Sequence, residues 1–71
     1  MIDEQAKVEA AIEAYQADQM NVSAGYNVIR YAQQGLLKFD AVNPGEVVMV
    51  ANYELAVLQL VKLGKAKYFK A

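Results

Sequence analysis

The spacing of apolar positions divides the chain into helical segments separated by short polar breaks. From residue 3 to 19, Val8, Ala11, Ile12 and Tyr15 recur at i, i+3, i+4 and i+7, the spacing of one helical stripe. Gln5, Glu9, Glu13 and Gln16 fall opposite and should be wet. The segment MNVSAG, Met20 to Gly25, interrupts this pattern. Asn21 and Ser23 can each cap a helix N-terminus, and Gly25 weakens a continuous helix. Without that break, residues 3–39 would form one long helix. Residues 24–39 place Gly25, Val28, Ile29, Ala32, Gly35, Leu36 and Phe39 on one face, with Asn27, Arg30, Gln33, Gln34 and Lys38 on the other. Glycine costs helix propensity, so close approach of a neighbouring backbone would explain it there. Gly25, Ala32, Gly35, Leu36 and Phe39 are therefore candidate helix-packing positions.

The longest apolar stretch is PGEVVMVANYELAVLQLVKL, Pro44 to Leu63. Asn43 is a competent N-cap, Pro44 suits the first helical position, and Glu46 can reach back to the cap. Gly64, behind Lys62 and Leu63, is a natural stop. These signals predict a helix over 44–63, roughly 30 Å long at the standard rise. The run Val47, Val48, Met49 and Val50 would suit a strand, but the apolar stretch continues beyond ordinary strand length. On a helical wheel it is apolar nearly all round, which predicts burial on most sides. Val47, Val50, Tyr53, Val57, Leu58, Leu60 and Val61 are the candidate core or interface residues.

The expected architecture is an all-α single domain over residues 1–71. Its two or three helices, about 3–19, 24–39 and 44–63, would form a small hairpin or bundle. A basic tail over 64–71 would extend the last helix or fray. The short connection from Asp40 to Asn43 favours antiparallel neighbours.

Composition changes this picture in one respect. A core built from 71 residues is marginal. With no cysteine and no histidine, neither a disulfide nor an ordinary zinc site can staple it. Oligomerisation is the staple that remains, and a hydrophobic content of 56% supplies apolar surface for it. Net charge is −1, but its distribution is uneven. Asp3, Glu4, Glu9, Glu13 and Asp18 face only Lys7 in the first 20 residues, whereas Lys62, Lys65, Lys67 and Lys70 close the chain without an acid. Head and tail can pair within one chain or between chains. They also suit a helix N-terminus and a helix C-terminus. The acidic start lacks a signal-peptide pattern, and Asn52, Glu54 and Gln59 interrupt the central stretch too often for a transmembrane span. The expected location is a cytoplasm or an assembled particle.

Candidate chemistry is sparse. No nucleophile–base pair, metal-ligand spacing or phosphate-cradling loop is present, so no catalytic, cofactor-binding or metal-ligating residue is assigned and enzymatic activity is not expected. Glu9, Glu13 and Asp18 read as a solvated face. Lys62, Lys65, Lys67 and Lys70, interleaved with Tyr68 and Phe69, are candidate polyanion contacts, because lysine neutralises phosphates and aromatic rings stack on bases. A dedicated nucleic-acid binder should carry a dominant basic footprint, which this acidic chain lacks. A helix-turn-helix is disfavoured because Pro44, Gly45, Glu46, Val47 and Val48 offer nothing for base edges.

The order of acidic start, apolar middle and basic end is similar to the layout of filamentous-phage coat subunits. Arg30, Lys38, Asp40, Glu46 and Glu54 depart from it. A hairpin whose second helix opens with Asn43-Pro44 resembles type III secretion needle subunits in topology. The expected function is contact between proteins: a self-assembling structural subunit, as a homo-oligomer or a component of a phage or bacterial filament or particle. The alternative is a small regulator or inhibitor that binds a host protein through an apolar helix face. Nucleic-acid binding through the basic tail ranks third.

Overall fold

Asp3 starts the first helix, α1 (Glu4–Ala17), in extended conformation, with its carboxylate accepting from the Gln5 amide. Asp18 closes α1, again extended, and Asn21 opens α2 (Val22–Gln33) by accepting from the Ala24 amide at 3.1 Å. The break in the segment from Met20 to Gly25 is therefore real, and Asn21 is the cap that makes it. The computed structural model describes residues 3–43, 45 and 52–70. Three helices and one small sheet occupy this range: after α2 come β1 (Leu37–Phe39), α3 (Tyr53–Lys62) and β2 (Ala66–Tyr68).

Three expectations need correction. The second helix does not run over 24–39. It stops at Gln33, and Gly35 adopts φ +77, a left-handed turn favouring glycine, so Leu37 and Phe39 belong to a strand. The central helix is not continuous over 44–63 either. Asn52 is extended at φ −103, ψ 123 and accepts from the Leu55 amide at 3.1 Å, so α3 is capped at Asn52 rather than Asn43. Residues 44 and 46–51, including Val47 and Val50, lie outside the described residues. The tail does not extend the helix: Gly64 turns the chain, and residues 66–68 pair with β1. The architecture is mostly helical rather than all-α.

The sheet is an antiparallel pair in which Leu37 faces Tyr68, Lys38 faces Lys67 and Phe39 faces Ala66. Its two strands are reached identically. Gly35 and Gly64 take φ values of +77 and +76. The following amides, Leu36 and Lys65, donate back to the Tyr31 and Leu60 carbonyls at 3.0 and 2.9 Å, the long hydrogen bond of a Schellman cap. Beyond the ladder, the Asp40 amide donates to Lys65 and the Phe69 amide to Leu36. Each unit is helix, left-handed glycine, then strand, and both strands share one burial pattern. The register relates the two strands by an approximate two-fold axis through the Lys38–Lys67 pair.

The core draws on every element. Val8 of α1, Val28 of α2 and Val61 of α3 are fully buried, with Ala11, Ile12, Tyr15, Ala24, Val57, Leu37 and Ala66 around them. The stripe expected on α1 is its buried face. Gly25 lies between helices: a Cβ there would stand 3.4 Å from the Tyr15 ring and 3.6 Å from Leu58. Across the core, the Gln16 side chain donates from Nε2 to the Val61 carbonyl at 3.0 Å, tying α1 to the end of α3.

Candidate interaction surface

The basic residues at the end of the chain differ in their surroundings. β2 presents Lys67 outward beside Lys38 of β1, two like charges directly opposite each other. Such a pair is unfavourable unless the charges are occupied elsewhere. Lys67 forms an ion pair with Asp40 at 3.1 Å, and the Lys38 ammonium stands 5.9 Å from the centroid of the Phe69 ring, within cation–π range. Lys62 and Lys70 are exposed, and Lys65 is half-buried. Of the four candidate polyanion contacts, only Lys67 lies on the sheet, and an acid already holds it.

Among the described residues, the start of α1 and β2 are joined by a hydrogen bond, not by an ion pair between the head acids and the tail lysines. The Tyr68 hydroxyl donates to a Glu4 carboxylate oxygen at 2.7 Å, bringing β2 against the start of α1. That hydrogen bond, with a smaller contribution from desolvation and the charges of Glu4 and Asp3, pushes the Tyr68 phenol up to about 12. Between α1 and β2 lies an open groove of about 300 Å³, lined by Glu9, Ile12, Glu13, Gln16, Ala66, Lys67 and Tyr68. Its carboxylates and lysine are solvated.

The apolar candidates divide sharply. Val57 and Val61 are core residues, while Leu58 and Leu60 are half-buried. Tyr53 is 53% exposed. On the second helix, Gly25 is buried and Ala32 half-buried, whereas Gly35 sits in a turn with no atom within 4 Å of a would-be Cβ. Leu36 and Phe39 pack partly against the core from the turn and from β1. Tyr26, which the sequence places among core or interface tyrosines, is 65% exposed, and Leu55, outside the candidate set, is 55% exposed. They occupy equivalent positions in the two units, the same distance before Gly35 and Gly64. Val22, the first residue of α2, and Met20, which precedes its cap, are more exposed still.

Tyr26 borders a crevice of about 100 Å³ between α2 and α3, lined also by Ile29, Arg30, Gln33 and Glu54. Arg30 and Glu54 approach it from different helices without forming an ion pair with each other. Among the described residues, no helix is long and apolar enough to cross a membrane. No protein family, curated protein or solved structure matches the chain.

Proposed function

We propose that this chain is a non-enzymatic protein that works through contact with copies of itself, as the structural subunit of a homo-oligomer. The observation that carries this reading is the set of large apolar side chains left in solvent. Tyr26 and Leu55, with Tyr53 and Val22, are more than half exposed on α2 and α3, while the fully buried side chains among the described residues are Val8, Val28 and Val61. A chain with so small a core leaves unused the apolar area it most needs to bury. Association would remove that area from water at about 25 cal/mol per Å² before the cost of immobilisation.

The test is light-scattering mass after size exclusion, over a range of protein concentrations and at two salt levels. A defined dimer or tetramer supports the reading. A well-folded monomer at every concentration overturns it and directs the same face to a foreign protein, as a regulator would use it.

A further inference from the structure

We infer that the α2–α3 face is a two-fold, self-complementary interface, on which Arg30 of one copy pairs with Glu54 of the other around contacts between Tyr26 and Leu55. This inference rests on the self-association reading and specifies its surface and symmetry.

The first argument is charge. A two-fold contact places the same patch on both sides, so a patch of one sign repels itself and a patch carrying both signs can be complementary. The crevice between α2 and α3 is such a patch. It is lined by one base, Arg30, and one acid, Glu54, which are not paired to each other within the chain. An axis running through the crevice sets Arg30 against the second copy's acid and Glu54 against its base, forming two equivalent ion pairs. Arginine suits this arrangement because its planar guanidinium can meet a carboxylate with two hydrogen bonds.

The second argument is shape. Tyr26 and Leu55 stand at equivalent positions of the two helix–glycine–strand units. Exposed apolar side chains are therefore spread over both helices rather than along one. A tyrosine beside an arginine is a composition enriched at the energetic centre of interfaces, and Leu55 adds apolar area to it. The other charged surfaces fit a second copy less well. Lys67 is held by Asp40, and Glu4 accepts from Tyr68, within the chain.

The experiment is a charge-reversal cycle read by light-scattering mass and by sedimentation of dilution series, with circular dichroism to confirm helix content. Arg30 and Glu54 are exposed, so Arg30→Glu and Glu54→Arg should leave the fold intact. Each single reversal sets like charges across the axis and should weaken the dimer about tenfold or more. Combining the two restores opposite charges and should recover most of the loss. Tyr26→Ser should weaken the dimer in either background. If the wild-type chain is a monomer throughout, both this inference and the self-association reading fall. If it is oligomeric but indifferent to the single reversals, only the inference falls. Weakening by each single change without recovery in the double variant also overturns the reciprocal pairing.

Discussion

Replacing Gly25 with alanine should stabilise the fold, although the residue is buried where helices meet. Gly25 lies in α2 at negative φ, so its backbone is available to any residue. Glycine in a helix costs about 0.5–1 kcal/mol relative to alanine, through the freedom it loses on folding. An added Cβ would stand 3.4 and 3.5 Å from two carbons of the Tyr15 ring and 3.6 Å from a Leu58 methyl. These are ordinary contact distances, so the methyl fills space rather than displacing a neighbour, and its burial adds up to about 0.8 kcal/mol. The expected net gain is about 1 kcal/mol, which for a chain of this length raises the melting temperature by roughly 4–8 °C. Urea unfolding at one fixed protein concentration measures it as a higher midpoint at unchanged slope. Gly25→Leu provides the contrast. Its branches would run past the Cβ position into Tyr15 and Leu58 and should cost about 1–3 kcal/mol by overpacking. A lowered midpoint for Gly25→Ala would refute the reasoning and show that the helices need glycine itself for their close approach.

Gly64→Ala and Gly35→Ala should each destabilise by about 1–2 kcal/mol, because both sites are left-handed, with asparagine better tolerated than alanine at either. Space is not the reason at Gly35, where nothing lies within 4 Å of a Cβ, so thermal melts of the two variants isolate the backbone term. Tyr68 should titrate near pH 12, and Glu4→Gln should bring it back towards the ordinary 10, as read by ultraviolet absorbance of the phenolate. The sign follows from linkage: a phenol whose pKa is raised in the folded state contributes stability that is complete below pH 10 and lost as pH climbs through 12, a loss that Tyr68→Phe should abolish. Val57→Asp places an unpaired charge at a site 2% exposed and should unfold the chain, with loss of helical circular dichroism as the readout.

The helices were legible where side chains made the signal locally. The Val8, Ala11, Ile12 and Tyr15 stripe and the Asn21 cap needed only spacing and one side-chain oxygen, and the structure has both. The strands were not legible in the same way. Three residues are too few for alternation to outvote a helical stripe, so Leu36 and Phe39 were absorbed into the preceding period. The usable signal was the likeness between the two segments. Gly35 is followed by Leu37, Lys38 and Phe39, and Gly64 by Ala66, Lys67 and Tyr68, each an apolar residue, a lysine and an aromatic at the same offset from a glycine. Gly64 was read as a stop and Gly35 was not, although both do the same work. At Asn52 the asparagine was counted as a polar blemish on a long helix, whereas it accepts from the Leu55 amide and begins a short one. The exposed surface was least legible, because the wheel for a helix over 44–63 placed apolar residues all round. It could not show that Leu55 would face away from Val57, or that Tyr53, on the same stripe as Val57 and Val61, would stand exposed at the helix start.

The pairing of β1 with β2 joins segments about 30 residues apart in the chain. Closing a loop of that length costs roughly 3 kcal/mol in chain entropy before any contact is made. Ladder hydrogen bonds contribute only about 1 kcal/mol each, so three residues a side do no more than offset the closure. The sheet therefore cannot lead folding. It forms once Val28 and Val61 have brought α2 and α3 together, and it parts when they separate. The Asp40 and Phe69 amides, which seal the ladder at its ends, should consequently be protected from exchange no better than the helices that hold the two strands together.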